Sequence, residues 1–326
     1  MTNSADRWSS LDEAFSRLKS AAPAFQENYL GFYSSWLGGY FREAWAMMLP
    51  MDDHGFHRGD GVFEAVRIHS RAYFDLRAHL RRMGNSARAI GMTLPKPVDE
   101  IEAICVRLGS LTGAESGILR LFVTRGPGGF SPSPSEVVGH QIYAAITRMK
   151  PPAERLYDRG ARAMTSAVAA KEERWSQIKS CNYLQNVLMK MDCADKGFDF
   201  ALSVDGQGRV CEGSTENFLI VSAEGEVVVP HFDYTLRGTT VSLVMKIAET
   251  LKTEGLVRDV RLGHLSLADV RSAREAAFVG TTLGVLPVAS LDEKAIGTGA
   301  PGEVCRRLHA ELMRRMSEDA ELRTPF

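Results

Sequence analysis

Apolar residues recur at two spacings along this chain, and the spacings divide it into strands and helices. Residues 62–69 alternate apolar and polar as a strand, with 72–75 as a hairpin partner. Residues 117–125 and 139–147 read as further strands. Helical spacing marks 10–21, 76–91 and 97–113. In the second half, 160–168 and 225–229 are strands, and 208–220 and 276–288 are strand–turn–strand units. Residues 256–262 form a strand and 266–273 a short helix. Leu184, Val187, Leu188, Met191 and Ala194 recur at helical spacing, with Asn182 as the N-cap and Gly197 as the terminator. Val244, Ile247, Ala248 and Leu251 define the core face of a helix that begins at Gly238-Thr239-Thr240. A charged helix at 302–318 closes the chain.

Strands and helices mixed in this way predict an α/β (α+β) protein. A proline-marked break, RMKPPAER at 148–155, divides it. The expected layout is an N-terminal extension at 1–35, a small α/β domain at 36–148, a linker at 149–156 and a larger α/β domain at 157–326. The aromatic and glycine-rich stretch 29–41 has two readings: a flap or subunit contact, or an extension packed on the core.

Composition narrows the class. With 326 residues the chain is long enough for two domains, and 44% hydrophobic with 24% charged content suits a globular protein. A net charge of −1 argues against a nucleic-acid or membrane-surface partner. Five cysteines without a C-x-x-C pair argue against a disulfide framework or a zinc site, and for a reducing cytoplasm. The N-terminal MTNSADRWSSLDEAF has no apolar h-region, and no run reaches the ~18 apolar residues of a membrane span.

Candidate chemistry begins with Lys179, at the mouth of the 184–194 helix. A lysine at such a seam is either a snorkelling surface cation or an amine whose pKa burial lowers until it becomes a nucleophile. Glu212 stands at the turn of 208–220, either as an ordinary turn residue or as a partner for a protonated ring nitrogen. The exposed amides and hydroxyls at Gly238-Thr239-Thr240 suit a phosphate, and simple threonine N-capping is compatible with that. His54 and His57 lie near Asp52, Asp53 and Asp60 but lack a further ligand cluster, so no metal is expected. The loop RGPGGFSPSPSE lacks a strand–loop–helix context and reads as a lid.

Several blocks together resemble the class IV, fold-type IV aminotransferases, which use pyridoxal 5'-phosphate. They are HRGDGVFEAVRI at 57–68; H-L-x-R at 79–82; Lys179, Asn182, Leu184 and Asn186-Val187-Leu188; Gly197 to Leu202; and Glu212-Gly213 through Asn217-Phe218. Their order and spacing fit, over about residues 50 to 290. The resemblance implies two α/β domains with the cofactor at their interface, and a homodimer. It makes Lys179 the Schiff-base lysine and proton carrier, and Glu212 the partner of the pyridine nitrogen. Arg82, Thr239, Thr240 and Thr281 become the phosphate anchor, with Tyr183 near the ring or merely packing. Where relatives commonly carry an arginine, this chain has Val241.

The resemblance implies transfer of an amino group between an amino acid or amine and a 2-oxo acid. An arginine and histidine that trap the carboxylate in D-amino acid members have no match, because Phe130 and Pro132 stand there. Arg120 matches an arginine of branched-chain members. With Phe63, Phe130 and Leu283 giving an apolar pocket, and Thr282 beside the substrate carboxylate, an apolar amino donor is expected. The alternative is a lyase of the aminodeoxychorismate type, which releases pyruvate without an acceptor. A third reading, a non-catalytic member, sits poorly with intact Lys179, Glu212 and Arg82.

Overall fold

A computed structural model describes residues 8–326. In chain order its first half contains α1 (Leu11–Ser20), β1 (Tyr29–Ser34), β2 (Gly39–Phe41), α2 (His54–His57), β3 (Gly61–His69), β4 (Ala72–Phe74), α3 (Leu76–Ala89), α4 (Val98–Thr112), β5 (Ser116–Thr124) and β6 (Gln141–Thr147). Helix α1 starts from a capping box between Ser10 and Glu13, yet it buries no residue. The β3–β4 hairpin turns through Ser70 and Arg71, both at positive φ, as a two-residue primed turn requires.

The second half contains α5 (Arg155–Arg159), β7 (Ala161–Thr165), α6 (Glu173–Ser176), α7 (Leu184–Asp195), β8 (Phe200–Val204), β9 (Val210–Gly213), β10 (Asn217–Val221) and β11 (Glu226–Pro230). There follow α8 (Thr239–Thr253), β12 (Asp259–Gly263), α9 (Leu267–Ser272), β13 (Glu275–Gly280), β14 (Gly284–Leu291), β15 (Lys294–Ala295), α10 (Glu303–Glu318) and β16 (Arg323–Pro325).

These strands make two sheets. The seven-stranded sheet runs β16-β4-β3-β5-β6-β1-β2. The nine-stranded sheet runs β12-β11-β10-β13-β14-β7-β8-β9, with β15 on β14. Two features differ from the layout the sequence suggested. The first sheet already starts at Tyr29, inside the stretch read as an extension, where β1 pairs with both β2 and β6. The last strand, β16, returns from the second half and pairs with β4.

Alternation along β3 places the site. Val62, Val66 and Ile68 point into a core shared with Leu76, Leu80 and Met83 of α3 and Ile101, Cys105 and Leu108 of α4. Glu64 points the same way and is fully buried. Phe63, Ala65 and Arg67 therefore face the other side. In the second half, α8 and α10 cover one face of the nine-stranded sheet, through Val244, Ile247, Leu308 and Leu312.

Helix α7 behaves unlike its sequence pattern. Its N-cap is Tyr183, without a side-chain cap, and Asn182 instead donates to the Gly59 carbonyl at 3.1 Å. The buried residues are Asn186, Met189 and Cys193. The apolar set at helical spacing faces outward, with Leu184 70% and Met191 55% exposed.

Candidate active site

The two halves meet where the Lys179 backbone lies along β3. The Phe63 amide donates to the Lys179 carbonyl at 3.0 Å, and the Cys181 amide donates to the Gly61 carbonyl at 2.8 Å. Ser86 of α3 accepts from the Lys179 amide at 3.1 Å. The side chain then runs into the seam. Its Nζ lies 4.7 Å from the centre of the Phe63 ring and 6.0 Å from that of Tyr183. Tyr183 packs edge-on against Phe63 at 5.0 Å. No acidic side chain forms an ion pair with Lys179 among the described residues. Burial, helped by the nearby Arg82 charge, lowers its pKa to about 8, with Glu64 and Glu212 opposing. A neutral amine is therefore within reach near physiological pH.

Glu212 faces the same cavity, at the end of β9. Its Oε2 accepts from the Leu236 amide at 3.2 Å and from Asn217 Nδ2 at 3.4 Å. Asn217 also donates to the Leu236 carbonyl at 2.8 Å, so β10 holds the carboxylate and the turn before α8 together. Burial raises Glu212 to about 7, against the pull of the Leu236 amide, Lys171 and Lys179. Gly238 is needed for that close approach, because a Cβ there would lie 2.0 Å from Asn217 Oδ1.

The residues expected to hold the phosphate form a second cluster. Thr239, Thr240, Gly280 and Thr281 converge on one cavity at the N-terminus of α8, together with His79. No side chain caps that helix, so its first amides remain available to an anion. Arg82 stands on the other side of Thr239. It grips Glu64 with a fork, Nε to Oε1 at 2.7 Å and Nη2 to Oε2 at 2.6 Å. Its Nη1 donates to the Arg237 carbonyl at 3.3 Å. Burial alone would raise Glu64, but Arg82 and His79 hold it at about 2.

His79 is the residue the sequence reading passed over. It bridges Glu64 at 2.6 Å and the Thr239 hydroxyl at 3.1 Å. Its signal was the first letter of the H-L-x-R block. Val241, at the position of the missing arginine, is buried in the core. The Arg237 guanidinium lies over Phe232 at 5.0 Å, so toward Arg82 it contributes only its carbonyl.

The remaining sites separate. Phe63 stacks on Phe122 of β5 at 5.8 Å. Phe122 lines an apolar cavity of about 380 Å³ with Phe32, Met48, Phe56, Tyr143 and Cys181. Arg120 pairs in register with Ala65 and shares that face, and no side-chain partner meets it among the described residues. Phe130 is mostly exposed and lies 5.3 Å from His57, while Leu283 is buried in the second domain's core. The expected apolar grouping of Phe63, Phe130 and Leu283 is therefore not assembled; the apolar cavity lies instead against β1, β5 and β6. Thr282 is exposed beside Thr281. Arg125, in the loop read as a lid, is tied to Asp60 and to the Ile90 carbonyl, which makes it a structural brace.

A nucleophilic lysine, a buried carboxylate and an open helix N-terminus at a two-domain seam define a site suited to pyridoxal phosphate. The comparisons agree. The family model described as amino-transferase class IV matches residues 61–291, and the chain belongs to that family. It is 32% identical to a chloroplastic D-amino-acid transaminase of Arabidopsis thaliana, over 93% of this chain and 80% of that protein. It is 30% identical to a putative branched-chain-amino-acid aminotransferase of Methanocaldococcus jannaschii, over 84% and 93%. Among solved structures, a T.th. branched-chain amino acid aminotransferase with pyridoxamine 5'-phosphate superposes with a TM-score of 0.84 at 25% identity, covering 90% and 98%. The protein is an aminotransferase of the fold-type IV kind, and pyridoxal phosphate is its cofactor.

Proposed function

We propose that this aminotransferase takes an amino donor with an apolar side chain, branched-chain-like, and passes the amino group to a 2-oxo acid. The observation that carries the reading is the apolar cavity behind Phe122, joined to Lys179 through Phe63. An apolar side chain gains by leaving water there, whereas a charged one finds no partner among the lining residues named above. Arg120, unpaired on the same sheet face, suits the carboxylate of an acidic 2-oxo acid acceptor.

Bound cofactor supplies the electron sink for the amino acid Cα. The chain's residues do the rest. Lys179 Nζ would hold the cofactor and, as a free amine, would carry the proton at Cα. Glu212, as a carboxylate, would accept a hydrogen bond from the protonated ring nitrogen and so keep that nitrogen cationic. Thr239, Thr240 and Thr281, backed by Arg82 and His79, hold the phosphate and so fix the ring plane. Tyr183 walls the ring cavity beside Lys179.

The outward stripe of Leu184, Val187, Leu188 and Met191 supports a homodimer, because four large apolar side chains on one helix face suit a second copy. All five cysteines are free and four are buried, in keeping with a cytoplasmic setting, which fractionation checks.

The test is the visible spectrum of the purified protein during titration with amino donors of both hands, with and without a 2-oxo acid. Leucine-like and aromatic donors bleach the band, and the acceptor restores it. A preference for acidic donors, or pyruvate released from aminodeoxychorismate without an acceptor, refutes the reading.

A further inference from the structure

A second lysine shares the ring cavity. Lys171 lies in the loop between β7 and α6, half-buried, and lines both cavities that contain Glu212. Its Nζ sits 4.9 Å from the centre of the Tyr183 ring, on whose other neighbour, Phe63, Lys179 rests. Among the described residues no carboxylate forms an ion pair with it. Burial lowers its pKa and Glu212 is the charge that opposes this, so the two groups feel each other across the cavity. The other charged or titratable groups facing this space are Lys179, Glu216, Tyr183, Arg82 and Glu64.

The reaction leaves Lys171 a distinct job. The charge on Lys179 changes as its nitrogen is bound to cofactor and then freed, so it cannot act as a constant counter-ion. Glu216 opposes ionisation of Glu212, and Arg82 is committed to Glu64. Lys171 is the cation that lines both of these cavities with Glu212 and stays outside the bond-making steps.

We propose that Lys171 is a positioning residue that keeps Glu212 a carboxylate, so that Glu212 holds the cofactor's ring nitrogen at every stage of turnover. The inference rests on the cofactor reading above. Lys171 takes no part in the proton path and forms no bond to substrate.

The experiment is equilibrium binding of pyridoxal phosphate to the apoprotein, read by the visible band between pH 5 and 9. It uses the full chain as wild type, Lys171→Met, Lys171→Arg and Glu212→Gln, and as the double variant Lys171→Met with Glu212→Gln. In Lys171→Met the acid limb moves up by about one pH unit, and neutral-pH affinity falls about tenfold. Lys171→Arg recovers most of both. With Glu212→Gln already present, Lys171→Met adds little, since the group it acts on is gone. An unshifted acid limb in Lys171→Met overturns the proposal. So does an equal affinity loss in the Glu212→Gln background, which would mark Lys171 as packing only. Thermal unfolding of each apoprotein separates misfolding from these outcomes, and a failure to fold in Lys171→Met that Lys171→Arg does not repair also overturns it. A wild-type protein that forms no band removes the cofactor reading itself.

Discussion

The two ends of the proposed cofactor site are built on opposite electrostatic plans. At the end proposed for the phosphate, Glu64 bonds both Arg82 and His79, and His79 bonds Thr239, at 2.6 to 3.1 Å. Every charge there has a partner before any ligand arrives. At the ring end, Lys179, Lys171 and Glu212 share a buried space without a single direct ion pair among them. The first arrangement makes a rigid anchor. The second holds Lys179 at about 8 and Glu212 at about 7, where protons move at low cost. Anchoring and chemistry thus use burial in contrary ways: one pairs its charges directly, the other keeps them apart without an ion pair.

Breaking either plan has a distinct signature. The largest effect comes from Lys179→Ala, which loses the attachment point and the proton carrier together. Turnover falls by at least about 10⁴-fold, and the visible band disappears from the spectrum. Glu64→Gln comes next. It strands the buried Arg82 charge, takes the carboxylate away from His79, and destabilises the fold by about 3–5 kcal/mol in urea unfolding. Glu64 sits near about 2 against an ordinary 4.5, so its stabilisation is present above pH 4.5 and is lost as pH falls toward 2. The variant flattens that acid slope.

Glu212→Gln separates the ends most sharply. Transamination rate drops about 10²–10³-fold, as for loss of one preorganised electrostatic contact. Stability changes with the opposite sign to Glu64. Glu212 sits at about 7 against 4.5, so the wild-type apoprotein loses stability as pH rises from 4.5 to 7. The variant lacks this slope, and parallel unfolding curves at pH 5 and 8 read it directly. The smallest effect is expected from Thr239→Val, which removes one hydroxyl from the anchor. Cofactor affinity weakens by about 1 kcal/mol, measured by dialysis against free cofactor.

Much of this was legible in the amino acids alone. The strand alternation at 62–69 and the helical spacing at 76–91 match β3 and α3 to within two residues at either end. Lys179 and Glu212 come together in one cavity, and the threonines of two separate turns meet in another. What stayed hidden depends on partners far away in sequence. His79 acquires its place only when α8 brings Thr239 to it. Lys171 meets Glu212 only because the β7–α6 loop brings it into the cavities that Glu212 lines. Helix α7 misled because spacing reports a face, not what covers it, and its apolar face looks outward. Asn182 has a capping side chain, but the Gly59 carbonyl claims it.

The hydrogen bonds that lay Lys179 along β3 have a consequence for exchange of parts. The proposed nucleophile, Lys179, is encoded in one half of the chain, but its backbone is held by peptide groups of Gly61 and Phe63 in the other. The halves are therefore not interchangeable modules. A hybrid that joins the second half to a foreign first half keeps every catalytic letter. It still misplaces the lysine unless the donor strand presents the same two peptide groups at the same step.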